Sequence, residues 1–359
     1  MNNLVWFYPA ILRIPSNTKA EHLSWHQAWY RLTGKNVCLI DSTNLSKNYG
    51  DGLNLHYHVP ELLSFDVTQS NLDNGRYWHN NFDSLMQSIT DQIFLNAQGY
   101  DELRLSYSGG TDSTLAFAAL MSNSKINQWI EQNKFIIYTT PFAKVEDPTM
   151  WQRILDLNLP LRLIDYDRLN VETDNHFMVT GDGEGYGTWW QIMMDEFTDD
   201  EIFKSTFQSM IPKLEQWFIS RESSGVAYKY FIDLMTHSDH GIDNLQQAWT
   251  WFENCVAIQC YSYRASAYAH GDVRITPRKN WHWFMTNKDF WDMCDYQAKE
   301  IMYTTDSTLK YTALKYIANW LGVNDIIKKN KFYSQFAIPK LIRKSKIYQD
   351  LSYSQGTDL

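Results

Sequence analysis

"LRLSYSGGTDSTLAFAAL", residues 103–120, is the stretch on which the fold turns. It opens with apolar residues at alternate positions, Leu103, Leu105 and Tyr107, a period of two that predicts a strand. It passes through Ser108, Gly109, Gly110, Thr111, Asp112 and Ser113, then enters a run in which Leu115, Ala118 and Ala119 share one helical face. A strand that feeds a helix through two glycines turns backbone N–H groups toward the positive end of that helix, where an anion is stabilised. The glycines allow dihedrals and close approaches that a side chain would forbid. Ser108, Thr111 and Ser113 add hydroxyl donors, and Asp112 is a carboxylate that can hold a magnesium ion. The pattern predicts a loop for the phosphates of a nucleotide, ATP, with a plain glycine turn as the bland alternative. GxxxxGK[ST] does not occur in the chain, so the loop is not that of P-loop kinases or GTPases.

Working outward, strands alternate with helices. Phe82, Leu85, Ile89 and Ile93 step by three and four and predict a helix over 80–95. "KFIIYTT" (134–140), "LRLID" (161–165) and "HFMVT" (176–180) read as strands rich in β-branched and aromatic residues. Asp147 before Pro148 predicts a cap and first turn for a helix reaching Leu157. The expected class is therefore α/β, a mostly parallel sheet with flanking helices. After residue 190 the pattern turns helical: Leu245, Trp249, Phe252, Val256, Cys260, Tyr263 and Ala267 form one apolar stripe, and 288–302 and 308–321 read similarly. Residues 1–75, rich in Asn and aromatics and broken by Pro9, Pro15 and Pro60, are expected to be a small N-terminal domain or cap, with 76–359 as the main domain.

Composition narrows the partners. Net charge is −9 in 359 residues, which weighs against a non-specific polyanion binder. The basic runs "KKNK" (328–331) and "PKLIRKSK" (339–346) keep a local nucleic-acid groove open. Cys38, Cys255, Cys260 and Cys294 form no CxxC pair and read as reduced, buried thiols. The start, "MNNLVWFYPAILRIP", lacks a basic flank, and no stretch approaches about 18 apolar residues, so a signal peptide and a membrane span are not expected and the expected compartment is the cytoplasm. His237, Asp239, His240 and Asp243 in "THSDHGID", and the "HYH" at 56–58, read better as loop and strand residues than as zinc ligands.

"SGGTDS" resembles the pyrophosphate-binding motif of the ATP pyrophosphatase (PP-loop) superfamily, whose members cleave ATP between its α and β phosphates and adenylylate a substrate. Three further stretches are similar to the synthetase domain of asparagine synthetases. "MVTGDGEGYG" (178–187) lies where that family has an acid between glycines, which places Gly181, Asp182 and Gly183 on the motif. Gly185 and Tyr186 stand where the family has Asp-Glu, a departure. "YRASAYAHGDVRITP" (263–277) puts Asp272 and Arg274 on a Glu-x-Arg pattern, and the segment 308–332 puts Lys331 on a lysine that contacts pyrophosphate and the adenylate.

The resemblance, over roughly residues 76–340, implies an adenine nucleotide alpha hydrolase-like fold and an ATP- and Mg²⁺-dependent, AMP-forming ligase. Ser108 to Ser113, Gly181, Gly183 and Arg274 would bind ATP or pyrophosphate. Asp112 and Asp182 would hold metal, and Lys331 with Asp182 would act in catalysis. A fixed lysine and a metal ion offset the charge that develops as pyrophosphate leaves. The glutamine-using members begin, after Met removal, with a Cys whose own amine is the base; Asn2 occupies that place, so the expected nitrogen source is ammonia, another subunit or a substrate amine. The acceptor would be a small-molecule or peptide carboxylate. Two alternatives stay open: a nucleic-acid base-modifying enzyme of the same superfamily, of the tRNA thiolation or lysidine type, and a degenerate member that binds nucleotide without chemistry.

Overall fold

The computed structural model describes residues 69–139, 142–163, 175–181, 193–194, 196–221, 228, 231–232, 235, 242–253, 280–285, 287–301 and 309–323. In chain order their elements are α1 (Gln69–Asn80), α2 (Phe82–Asn96), β1 (Glu102–Tyr107), α3 (Thr111–Ser122), α4 (Ile126–Glu131), β2 (Phe135–Thr139), α5 (Phe142–Glu146) and α6 (Pro148–Asp156). They continue with β3 (Leu161–Leu163), β4 (His176–Thr180), α7 (Asp199–Phe203), α8 (Phe207–Arg221), β5 (Trp281–Trp283), α9 (Lys288–Glu300) and α10 (Leu309–Leu321). Residues 245–253 are also helical. The described residues divide into two compact units. A sheet unit takes those between Asn81 and Gly183, between Arg278 and Asn287 and from Lys310 onward; a helical unit takes those up to Asn80, between Glu184 and Pro277 and from Lys288 to Leu309.

The sheet is parallel throughout, in the order β3-β2-β1-β4-β5. β2 and β4 are buried at all five of their positions, as expected of strands with cover on both faces. β1 sits between them, with Leu103 opposite Phe135 on one side and Phe177 on the other. Arg104 is buried in β1 because its charge is met: its guanidinium reaches Glu102 at 2.5 Å and lies 4.8 Å from the centre of the Tyr138 ring. The expected α/β class and parallel sheet are found. One expectation changes: the region after residue 190 is not helical throughout, since Trp281–Trp283 joins the sheet edge beside β4. Three residues cannot display a period of two, so β5 had no pattern to read.

Helix packing follows from the same residues. Leu85, Ile89 and Ile93 of α2 are fully buried on the stripe predicted from their spacing, and Met86 is buried beside them. α3 goes further: Ser113 through Leu120 are all buried, the mark of a helix surrounded by protein. Asn123 at its end donates to Thr90 Oγ1 at 2.9 Å and to Asp91 Oδ1 at 2.9 Å, tying α3 to α2. Asp147 caps α6 as expected, its Oδ1 accepting from the Met150 N–H at 3.0 Å with Pro148 in the first turn.

In the helical unit, Phe218, Phe231, Trp249 and Phe252 form an aromatic core; Phe218 and Trp249 stack at 6.0 Å and Phe231 lies 4.9 Å from Trp249. Leu245, Trp249 and Phe252 lie on the predicted stripe, whose remainder from Val256 to Ala267 lies outside the described residues.

α1 and α9 are brought close by Gly75. Asn74 Nδ2 donates across the pair to Asp289 Oδ1 at 3.0 Å and Asp292 Oδ2 at 2.6 Å. Asp292, fully buried, also takes the Lys288 ammonium at 2.7 Å. Its neighbour Asp295 is nearly as buried, and burial, then the charge of Asp292, push its pKa from 3.8 up to about 7 against the pull of Lys299 and Lys288.

A carboxyl raised in this way binds its proton more tightly folded than unfolded. The stability it contributes is present below about pH 4, is lost progressively as pH rises through 7, and then levels off. Asp295→Asn should therefore raise the melting temperature at pH 8 and leave it near wild type at pH 4, in parallel thermal melts. An advantage that stays flat across that range would show that Asp295 does not titrate there.

Candidate phosphate site at the reversal of the sheet

In an open parallel sheet, ligands gather beyond the carboxyl ends of the strands, at the point where the order reverses. Here the chain moves from β1 outward to β2 and β3, then returns to the other side of β1 as β4 and goes on to β5. The reversal lies between β1 and β4, paired from Glu102 opposite His176 to Ser106 opposite Thr180. The segments leaving these two strands are Ser108-Gly109-Gly110 and Gly181. Segments 71 to 73 positions apart, read separately from sequence, thus leave neighbouring strands.

The loop is built inward. Gly109 has φ +86°, in the left-handed region that favours glycine. Gly110 precedes the first turn of α3 in an extended conformation and, lacking a side chain, cannot cap the helix itself. The first-turn N–H groups of a helix have no acceptor within it, so α3 points donors and its positive end at the loop.

Two predicted ligand hydroxyls are engaged in bracing this geometry. Ser113 Oγ accepts from the Ser108 N–H at 3.2 Å, lies 3.0 Å from Ser108 Oγ and donates to the Gly110 carbonyl at 3.1 Å. Ser108 Oγ accepts the Gly110 N–H at 3.2 Å, and Thr114 Oγ1 donates to the Gly110 carbonyl at 2.8 Å. Ser113 is buried, while Thr111 and Asp112, half-buried, complete the first turn.

Gly181 and Gly109 border the loop with no room for a side chain, and Gly110 with little. A Cβ on Gly181 would fall 2.4 Å from both N and Cα of Ser113. One on Gly109 would fall 2.9 Å from Ala143 Cα and 3.1 Å from Glu146 Cβ. One on Gly110 would meet Ser108 Oγ at 3.3 Å and Glu146 Oε1 at 3.6 Å. α5 is thus the floor of the loop, a role that five residues without a period gave no sign of in the sequence. Behind the loop the buried Tyr107 hydroxyl is held protonated, its pKa raised first by burial and then by the negative charges of Asp147 and Glu146.

Glycine cradle, uncapped helix end and an acid in the first turn suit a phosphate chain carrying a divalent cation. Among the described residues Asp112, in the first turn of α3, and Glu146, whose Oε1 lies 3.6 Å from where a Gly110 side chain would begin, bring carboxylates to the loop. Asp182, Gly183, Arg274 and Lys331 lie outside the described residues, as do Gly185, Tyr186 and Asp272. So do Cys38, Cys255, Cys260, residues 1–68, His237, His240 and both basic C-terminal runs. Cys294 is a buried free thiol whose pKa is raised by burial and then by Glu253, Asp295 and Asp292. Among the described residues no three His, Cys, Asp or Glu side chains gather as metal ligands, and no helix is long and apolar enough to cross a membrane. No protein-family model, no curated protein and no solved structure matches the chain.

Proposed function

We propose that the chain binds Mg²⁺-ATP at the reversal between β1 and β4, in an adenine nucleotide alpha hydrolase-like sheet, and transfers its adenylyl group to a carboxylate. The observation that carries the reading is the meeting of Gly109, Gly110 and Gly181 around the N-terminus of α3. The missing side chains let the end of β4 and α5 pack against the loop and the first turn of α3, and a phosphate would meet the N–H groups of that turn. Asp112, with Asp182, would hold the cation, which supplies charge neutralisation between ATP and an anionic acceptor. Ser108 and Ser113 would keep the loop in shape. Gly183 and Arg274 would contribute to the nucleotide, and Lys331 would stabilise the departing pyrophosphate. The activated acyl group would then be taken by ammonia or an amine, as the resemblance to asparagine synthetases implies.

The test is product identity. Incubation with ATP, Mg²⁺ and panels of carboxylic acids and amines should release AMP and pyrophosphate, and Asp112→Ala should lose that release by at least about a hundredfold while folding normally. ADP in place of AMP would remove the pyrophosphatase reading.

Gly185 and Tyr186, at positions where the resembling enzymes carry two acids, favour a second reading: a protein that binds the nucleotide without turning it over. ATP binding by calorimetry without AMP formation across the panel would select it. A nucleic-acid base-modifying activity rests on the basic runs near the C-terminus, and formation of AMP only in the presence of RNA would select that instead.

A further inference from the structure

We propose that Glu146 makes the phosphate site selective for a cation-bound nucleotide, its carboxylate turning away a phosphate chain whose charge no metal offsets. The inference rests on the phosphate reading and goes beyond it by naming the form of ligand that the site accepts.

Glu146 ends α5, the short helix that follows β2, and is half-buried. Its side chain runs along the glycine loop. Cβ lies 3.1 Å from where a Gly109 side chain would begin, and Oε1 lies 3.6 Å from where a Gly110 side chain would begin. The stem thus passes Gly109, and the carboxylate reaches Gly110, the residue before the first turn of α3. The same charge is felt behind the loop, where burial, then Asp147 and Glu146, raise the pKa of the Tyr107 hydroxyl.

Relative magnitudes give the sign of the effect. The N-terminus of α3 offers about half an elementary positive charge. Asp112 in that first turn and Glu146 beside the loop each bring a full negative one. A bare phosphate chain therefore meets more repulsion than attraction from these groups. With a divalent cation on the chain, the same carboxylates attract where they would have repelled. Asp112 sits within the turn that donates to the phosphates, so changing it disturbs the turn together with the charge. Glu146 stands on a separate element, and its charge can be removed by itself.

The experiment compares the full chain with Glu146→Gln, which keeps the shape of the side chain, by calorimetric titration with ATP in EDTA and with ATP in excess Mg²⁺. Glu146→Ala removes the charge together with the carboxylate stem, and thermal melts report whether each variant is folded. Glu131→Gln is the control for net charge: it neutralises an exposed acid on α4, which leads into the start of β2, away from the carboxyl ends of the strands.

Wild type should bind Mg²⁺-ATP at least about a hundredfold more tightly than ATP in EDTA, and both Glu146 variants should shrink that ratio about tenfold or more, chiefly by gaining affinity for the metal-free nucleotide. Glu131→Gln should keep the wild-type ratio. A merely structural role for Glu146 predicts that both forms of ATP weaken together, and that result, or an unchanged ratio in the Glu146 variants, would overturn the inference while leaving the phosphate reading in place. If wild type and the variants bind neither form, the phosphate reading falls and takes this inference with it.

Discussion

Gly181→Ala should abolish measurable ATP binding at micromolar protein while leaving the chain folded. One methyl group is enough because its carbon would land 2.4 Å from Ser113 N and Cα and 2.6 Å from the Asp112 carbonyl carbon. Those are backbone atoms at the start of a helix buried along eight consecutive residues, so no side chain can swing aside. Either β4 retreats from α3 or the first turn of α3 unwinds, and both misplace the donors at the reversal of the sheet. Overpacking of this kind costs about 1–3 kcal/mol. A misplacement of about 1 Å costs a reacting or binding geometry about a hundredfold.

Gly99→Ala is the matched control. Its φ of +93° makes the substitution strained, but nothing lies within 4 Å of the new carbon. The strain costs about 1–2 kcal/mol, so its melting temperature should fall by an amount similar to that of Gly181→Ala while ATP affinity is unchanged. Equal ATP affinities in Gly181→Ala and wild type would mean that the β4 end is no part of the site.

The residues of this site differ in how far they could be read in advance. The glycines and hydroxyls of 108–113 announce themselves because strand, loop and helix are contiguous, so local pattern contains the whole motif. β2 and β4 were legible as short apolar runs, and their observed limits, Phe135–Thr139 and His176–Thr180, fall within the stretches marked for them. Asp147 was legible because a cap acts on its own helix.

Ala143 is different. Its backbone lies against Gly109, 34 positions earlier, and nothing in "FAKVE" marks a segment that packs under a loop. The bracing roles of Ser108 and Ser113 were hidden for a related reason. Sequence shows that a hydroxyl is present, and only geometry shows whether it faces a ligand or the loop carbonyl. β5 escaped notice because parallel pairing with Met178–Thr180, and no property of Trp281–Trp283 alone, makes it a strand. The same limit applies to Gly75, in a stretch of sequence with no motif at all.

Gly75→Ala should destabilise the helical unit, although the same change inside an exposed helix ordinarily stabilises by about 1 kcal/mol. The sign reverses because α1 and α9 meet at that glycine. A carbon added there would lie 2.0 Å from the Asp292 carbonyl oxygen, 2.6 Å from its carbonyl carbon and 2.7 Å from Tyr296 Cβ. None of these can rotate away, so the helices must part. Parting them strains the two hydrogen bonds from Asn74 Nδ2 to Asp289 and Asp292, and lifts Arg76 from the Tyr296 ring, now 5.5 Å away. Of these, the bond to Asp292 matters most. That carboxylate is fully buried, and with Asn74 withdrawn it keeps the Lys288 ammonium, which is itself more than half exposed. A buried charge that loses a hydrogen-bond partner costs about 1–3 kcal/mol beyond the steric term.

Together these put the loss at about 3 kcal/mol or more, with a fall in melting temperature on the order of 5–10 °C for a unit of this size. Thermal melts of Gly75→Ala and Asn74→Ala separate the contributions: Asn74→Ala removes the hydrogen bonds and leaves the helices in contact, so it should lose less. A Gly75→Ala protein as stable as wild type would show that α1 and α9 do not pack through this glycine.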